Sequence, residues 1–185
     1  DTPAINRAKL MRTAAGLLYA AFGTLQIDRL LQAATQAPAL PVTAQIATLL
    51  VVIAALLKTA QLPFHGWLIQ VMEAPTPVSA LLHAGVVNLG GYVLIRLAPL
   101  VAELPLAMGL LVLAGTVTAV IAALVMTTRI SIKVMLAWST TAQMGFMVMQ
   151  CGLGLWEMAL LHLVAHSLYK AHCFLAAGGT VRQNQ

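Results

Sequence analysis

The stretch LLVVIAALLKTAQLPFHGW, residues 49–67, decides how this chain folds. An apolar run with the character of a helix passes through a lysine, Lys58, and then meets a proline, Pro63. Proline has no N–H to donate and its ring clashes with the preceding turn, so Pro63 predicts a break in an otherwise helical segment, residues 41–73. Broken helices at membrane depth are tolerated only inside protein or around water, which indicates an ion path.

The composition around this stretch is that of a membrane protein. Of 185 residues, 61% are hydrophobic and 8% are charged, whereas soluble domains have about 25% charged residues. The apolar residues form blocks long enough to cross a bilayer, which takes about 20 residues per helix. We therefore predict an all-α polytopic membrane protein with about six transmembrane helices, near residues 9–27, 41–73, 76–97, 104–127, 131–151 and 155–177. A short interfacial helix followed by a proline-bounded turn is expected in residues 28–41.

The loop charges predict an orientation. The net charge of +5 is small and lies in the predicted loops, so we interpret it as a topology signal and not as a nucleic-acid surface. One side carries most of the basic residues, namely Arg7, Lys9, Arg12, Arg129, Lys133 and Arg182, and the other carries Arg29 and Arg96. The positive-inside rule then predicts that both ends of the chain are cytoplasmic.

Two single titratable residues fall inside predicted spans. A lysine at the depth of Lys58 costs at least about 2.5–3.5 kcal/mol on insertion scales, so we expect it to be paired or functional, the alternative being a side chain that reaches the interface. His83 follows PTPVSALL on the next span, and the alternative for it is a hydrogen-bonded core histidine. His65 and Glu73 flank the break, where we expect them to mark helix boundaries or anchor loops.

The strongest polar pattern is in LLHLVAHSLYKAHCFL, residues 160–175. His162, His166 and Lys170 recur every four residues and therefore share one face of a helix. Groups that titrate near neutral pH at this spacing suit a proton relay bridged by water. Two alternatives are a zinc site, for which no carboxylate or cysteine shares the face, and a packing role, which predicts direct hydrogen bonds to neighbouring helices. His172 points to roughly the opposite face.

Motifs for enzyme chemistry are absent from the sequence. There is no phosphate loop, nucleophile elbow or redox-cofactor motif, so we expect no catalytic site, cofactor or metal within this chain. Cys151 and Cys173 have no paired spacing and are interpreted as small buried hydrophobic residues. The chain begins with Asp and without a signal peptide, from which we expect a piece of a longer protein.

Three strings resemble one known family, the antiporter-like, proton-conducting membrane subunits of respiratory complex I and of multisubunit Na⁺/H⁺ (Mrp) antiporters. They are KTAQLPFHGWLIQVMEAPTPVSALLHAGVVNLGGYVLIR (58–96), ISIKVMLAWSTTAQMGFM (130–147) and HLVAHSLYKAHCFL (162–175). The resemblance implies an inverted-repeat fold with a broken helix in each repeat. The first repeat would end near residue 103, and the second would begin near residue 104 and continue to residue 185.

The resemblance also implies roles for particular residues. The lysine before AQLP is the central proton site of that family, which places this role on Lys58, and the histidine after PTPVSALL links it laterally, which places that role on His83. The helix with the HxxxHxxxK pattern and the lysine that opens the preceding helix continue the hydrophilic axis, which assigns a proton pathway to Lys133, His162, His166 and Lys170. The carboxylate partner of Lys58 and the final exit residue would lie outside this chain.

The string AQMGFMVMQCGLG (142–154), taken with the final helix, is most similar to the DabB branch of the family. That branch implies a membrane subunit, in the inner membrane of a bacterial cell, that energises uptake of CO2 or bicarbonate together with DabA, a zinc-binding partner resembling a β-carbonic anhydrase. The alternatives are a proton-pumping subunit of an NADH-quinone oxidoreductase or of a Na⁺/H⁺ antiporter, and a purely structural scaffold.

Overall fold

The structure is a computed structural model that describes the backbone of residues 2–70 and 74–183 and the side chains of residues 7–70 and 74–176. Within those residues every regular element is a helix. In chain order they are α1 Thr2–Phe22, α2 Ile27–Gln36, α3 Val42–Lys58, α4 Gly66–Gln70, α5 Thr76–Leu81, a π-helical segment Leu82–Val86, α6 Asn88–Arg96, α7 Ala98–Ala102, α8 Pro105–Thr127, α9 Ile132–Gly152 and α10 Trp156–Gln183. The predicted all-α class is confirmed.

Two continuous helical stretches of the described chain are long and apolar enough to cross a bilayer. They are Thr76–Arg96, which runs through α5, the π-helical segment and α6, and α8. Val42–Lys58 is apolar but shorter. The count of six spans therefore stays a prediction.

The predicted break in the second apolar segment is present, and it begins earlier than Pro63. Helix α3 ends at Lys58, and helical structure resumes only at Gly66. Lys58 is therefore not in the interior of a helix, as the sequence suggested, but at its carboxyl end. There the unpaired carbonyl groups and the helix dipole favour a positive charge. Glu73, predicted at the far end of this segment, lies outside the described residues.

The amino-terminal part also departs from the sequence prediction. Helix α1 begins near residue 2 and ends at Phe22, because Gly23 takes a left-handed backbone conformation with φ of 68°. Arg7 is consequently a helix residue and not a loop charge, and it is half-buried. The expected short helix after the first span is α2, whose Leu30 and Ala34 face the core.

Helices α8 and α9 form an antiparallel pair with unusually close backbones. A Cβ atom on Gly115 would lie 2.6 Å from the carbonyl oxygen of Gly145, and one on Gly145 would lie 2.6 Å from the backbone nitrogen of Ala119. Small residues at such crossings let helices approach in a membrane, where packing and not the hydrophobic effect drives association. Helix α10 then packs on α9, α5, α6 and the π-helical segment.

We predict that Gly145→Ala destabilises the full-length protein by about 1–3 kcal/mol, because the added methyl group must push the backbone of α8 away. The measurement is the free energy of unfolding in mixed detergent micelles. Gly109→Ala is the matched control, since a Cβ on Gly109 in the same helix pair meets nothing within 4 Å. Equal stability of the two variants would show that this crossing does not depend on glycine.

Candidate functional site

The broken segment after Lys58 is held by side chains that replace the missing helical hydrogen bonds. Ala60 adopts a left-handed conformation with φ of 53°, which turns the chain out of the helix. Gln61 Nε2 donates to the Thr59 carbonyl at 3.1 Å, and the Leu62 amide donates to Thr118 Oγ1 of α8 at 3.1 Å. A non-helical backbone in apolar surroundings needs such partners. The break is therefore a defined structure.

Lys58 shares an aromatic ring with a second cation. Its Nζ lies 6.0 Å from the centroid of the Trp67 ring, and the Arg7 guanidinium carbon lies 5.2 Å from the same centroid. Both cations line a cavity of about 370 Å³ together with Ala8, Met11, Ala54, Ala55, Leu89, Gly90 and Val93. Arg7 Nη1 is buried and has no hydrogen-bond partner among the described residues. Sequence reasoning missed both Arg7 and Trp67.

No carboxylate of the described chain neutralises this pair of cations. Of the acidic residues that the structure describes, Asp28, Glu103 and Glu157 are all exposed, and Asp28 pairs with Arg96. Helix α6 presses directly against the end of α3, since a Cβ on Gly90 would lie 2.8 Å from the Ala55 carbonyl oxygen and 3.3 Å from Lys58 Cβ. The Lys58 cavity can therefore hold an anion, or Lys58 can release its proton and become neutral.

His83 lies within the π-helical segment, a type of distortion that is frequent at functional sites. Its side chain is fully buried and stacks on Phe174 of α10, with ring centroids 4.6 Å apart. Neither ring nitrogen has a hydrogen-bond partner among the described residues. The described residues therefore do not supply the hydrogen bonds that the core-histidine alternative expects.

The ladder on α10, formed by His162, His166 and Lys170, has members with different surroundings. Lys170 is 1% exposed, and its Nζ donates to Ser139 Oγ at 2.8 Å and to the Leu136 carbonyl at 3.2 Å. His166 is 5% exposed, and neither of its ring nitrogens has a hydrogen-bond partner in the part of the chain that the structure describes. The packing alternative predicted direct bonds between helices, so it fits Lys170 and does not fit His166.

His162 is the third rung, and its ring centroid lies 6.2 Å from that of His166. Its Nδ1 lies 3.0 Å from Gln150 Oε1 of α9. A cavity of about 350 Å³ runs beside the ladder, lined by Ser139, Gln143, His162, Ala165, His166, Tyr169 and Lys170. Polar side chains line much of this space, which is large enough for several water molecules.

Helix α9 presents its own polar stripe to this ladder. Ser139 contacts Lys170, Gln143 lines the cavity with His166, and Gln150 contacts His162, in antiparallel order. Sequence reasoning missed the stripe. The spacing of Ser139, Gln143 and Gln150 along one helical face was the signal for it, but none of the three carries a charge.

Asn88 belongs to the segment between the ladder and the Lys58 cavity, and it lies five residues after His83 and two before Gly90. Its Nδ2 donates to Ser167 Oγ of α10 and to the Ala84 carbonyl, both at 2.7 Å. Its Oδ1 is buried without a partner among the described residues. This polar side chain was also missed, although it lies in the segment that joins the ladder to the Lys58 cavity.

The remaining predicted residues lie at the edges of the polar region formed by the Lys58 cavity, His83 and the ladder. Lys133 lies in the first turn of α9, three residues before Leu136, and its Nζ donates to the Ala74 carbonyl at 3.2 Å. His65 packs its ring on Trp138 at 4.8 Å, as a boundary residue would. Cys151 and Cys173 are free, and the described residues bring no three His, Cys, Asp or Glu side chains together as metal ligands.

Comparisons with known proteins place these residues in a family. Residues 8–185 match the family model described as NADH:quinone oxidoreductase/Mrp antiporter, TM. A probable inorganic carbon transporter subunit DabB from Hydrogenovibrio crunogenus is 56% identical over 168 residues, which cover 91% of this chain and 32% of the relative. An NADH-ubiquinone oxidoreductase chain 5 from Metridium senile is 43% identical over 125 residues, which cover 67% of this chain and 21% of the relative.

A solved structure of similar fold is that of the Mrp complex from Dietzia sp.. It superposes with a TM-score of 0.86 at 34% identity, covering 98% of this chain and 21% of the matched one. The chain thus spans about a third, or less, of the length of the relatives it matches.

We predict that Thr118→Val in the full-length protein destabilises the broken segment by about 1–3 kcal/mol, because it leaves the Leu62 amide without an acceptor. The measurement is the free energy of unfolding, together with thiol labelling of single cysteines placed in residues 59–65. Thr118→Ser keeps the hydroxyl and should behave as the unchanged protein. Loss of stability in the serine variant alone, or in neither, would contradict the assigned hydrogen bond.

Proposed function

The chain belongs to the NADH:quinone oxidoreductase/Mrp antiporter transmembrane family, and from this premise we propose that it carries the middle of a proton path. The path consists of Lys58 and Arg7 at the helix break, His83 in the π-helical segment, and the ladder of His162, His166 and Lys170. Lys133 lies at its edge. Its two ends would be supplied by parts of the longer protein.

The observation that supports this proposal best is the burial and hydrogen bonding of the His166 ring. A neutral imidazole has one N–H donor and one acceptor nitrogen, and burying both without partners costs free energy. His166 is buried in that way beside a polar cavity and between two other titratable groups. A rotation of the ring that turns one nitrogen into the cavity would let water there connect it to His162 and Lys170, which is the arrangement that proton transfer requires.

The Lys58 site supports the other half of the proposal. A half-buried lysine beside Arg7 has a like charge nearby and no carboxylate of the described chain, so an anionic group is the partner that this site lacks there. A carboxylate on another helix of the longer protein would pair with Lys58 or with Arg7. Movement of that carboxylate between the two cations would then bind and release the proton of Lys58.

For the whole subunit we propose a role in energising inorganic carbon uptake. The DabB relatives support it by their identity to this chain, and we propose a zinc-binding partner subunit of DabA type. The second candidate is a proton-pumping subunit of NADH-quinone oxidoreductase or of an Mrp antiporter, which the NADH-ubiquinone oxidoreductase and Mrp matches favour. We place the protein in the bacterial inner membrane, with both ends of the chain on the cytoplasmic side.

Purification of the intact assembly from its native membrane separates these candidates. A single large zinc protein that co-purifies, together with growth at low CO2 that depends on the subunit, would support carbon uptake. Quinone-oxidoreductase or antiporter subunits in its place would overturn that role and support the second candidate.

We predict that Lys58→Ala in the full-length subunit lowers proton flux by roughly tenfold or more, the effect of a barrier raised by about 1.4 kcal/mol, while insertion stays normal. Flux is measured in proteoliposomes that contain a pH-sensitive dye. Lys9→Ala is the matched control, since Lys9 is exposed on α1. Normal flux in the Lys58 variant would remove this residue from the path.

We predict that His166→Gln and His166→Leu slow proton flux to the same extent, because neither side chain is protonated near pH 7. Stability should be nearly unchanged in the leucine variant, since His166 makes no hydrogen bond to the described chain that could be lost. Flux and unfolding free energy are measured on the same preparations. Normal conduction by the glutamine variant with failure of the leucine variant would mean that His166 acts by hydrogen bonding and not by carrying protons.

A further inference from the structure

Gln150 is a buried amide, near the carboxyl end of α9, to which the proton path as proposed assigns no task. Its Oε1 lies 3.0 Å from Nδ1 of His162, and this is the contact between α9 and the His162 end of the ladder. A polar side chain buried in an apolar helix has a free-energy cost unless it is bonded. The position of Gln150 is therefore explained by what it does to His162.

The chemistry of the contact determines which nitrogen of His162 carries the hydrogen. A carbonyl oxygen only accepts hydrogen bonds, so Nδ1 must be the protonated nitrogen of the neutral ring. The lone pair is then on Nε2. Since Nδ1 is occupied by Gln150 and the ring lines the polar cavity with His166 and Lys170, Nε2 is the atom left to exchange protons there.

We infer that Gln150 is a positioning residue that fixes His162 as its Nδ1–H tautomer, so that the ring takes up and releases protons through Nε2 alone. The inference rests on the proposed proton path and assigns His162 a more specific task within it. A proton from cavity water adds to the Nε2 lone pair, and the ring becomes an imidazolium that still donates from Nδ1 to Gln150. The same proton later leaves from Nε2, and the ring returns to its starting tautomer.

Passage of a proton through the ring towards Gln150 is disfavoured by the same contact. It would require Nδ1 to give its proton to an amide oxygen, which is a much weaker base than imidazole. It would also leave the hydrogen on Nε2 and a lone pair facing the carbonyl of Gln150. Protons therefore do not pass through His162 to Gln150, and those that reach the cavity continue by way of His166 and Lys170.

The described groups around the ring include no negatively charged acceptor that would compete with Gln150. On α10 the cavity holds His166, Tyr169 and Lys170, and on α9 it holds Ser139 and Gln143. Phe146 packs against the ring at 5.8 Å, and His83 of the π-helical segment interacts with His166. No described carboxylate is among these groups, so Gln150 orients the ring without holding it permanently charged.

The test uses the full-length subunit in lipid bilayers with ¹⁵N-labelled histidine. The ¹⁵N signals of an imidazole distinguish the two neutral tautomers from the imidazolium, and the signal of His162 is identified by its loss in His162→Gln. The compared variants are Gln150→Met, which is similar in size but offers no oxygen, and Gln150→Glu, which keeps an acceptor. Gln32→Met on the exposed face of α2 is the matched control.

The expected result is an Nδ1–H signal for His162 in the unchanged protein and in the control. In Gln150→Met the ratio of Nδ1–H to Nε2–H forms should fall by about fivefold, the bias that one ordinary hydrogen bond gives. In Gln150→Glu the Nδ1–H bond should persist, and the imidazolium should survive to higher pH because a carboxylate now faces it. Proton flux should fall in both variants, since one loses the orientation and the other retains the proton.

An unchanged tautomer in Gln150→Met, or an Nε2–H form in the unchanged protein, would overturn the inference. If the methionine variant is misfolded, Gln150→Glu still tests the inference. Its ¹⁵N signals must show the Nδ1–H bond and an imidazolium that survives to higher pH. Absence of proton flux in the unchanged subunit would overturn the proposed function. The tautomer measurement would still decide what Gln150 does.

Discussion

The structure depends on one constraint, the need of every backbone polar group in an apolar environment for a hydrogen-bond partner. A helix meets this need by itself, so the chain is helical wherever it can be. Between Lys58 and Gly66 it is not, and the partners come from backbone turns, such as the Gln61 amide that donates to the Leu56 carbonyl, and from the side chains of Gln61 and of Thr118 on α8. The break therefore fixes α8 against the end of α3. It also leaves the lysine at a helix terminus, where a positive charge is favoured.

Close packing of α8 on α9 has a consequence for the polar axis. Because Gly115 and Gly145 bring the two backbones together, the rotation of α9 about its own axis is determined by that crossing. The opposite side of α9 then faces α10 and presents Ser139, Gln143 and Gln150 to the ladder. Glycines that make no contact with the site thus decide which polar groups meet the histidines.

Sequence patterns predicted the helical class, the break and the shared face of His162, His166 and Lys170, because each of these follows from spacing along a single helix. The partners across helices could not be predicted. Gln150 and Ser139 are uncharged residues in apolar helices, and their role depends on the rotation of α9, which spacing alone does not determine. Arg7 was misassigned to a loop, since a basic residue before an apolar block looks the same whether the helix starts before or after it.

The distribution of hydrogen bonds along the axis separates anchored groups from exchangeable ones. Lys170 and His162 are each fixed by α9 through a named contact, whereas His83 and His166 are buried with both ring nitrogens unpartnered in the described chain. A fixed group keeps its geometry while its charge changes, and an unfixed ring can rotate or bond to water. Along the ladder a ring without a partner in the described chain thus stands between two anchored groups, which suits the transfer of a proton from one to the other. A core built only for packing would have no reason to leave its histidines unpaired, since each unpaired ring costs stability that an apolar side chain would not.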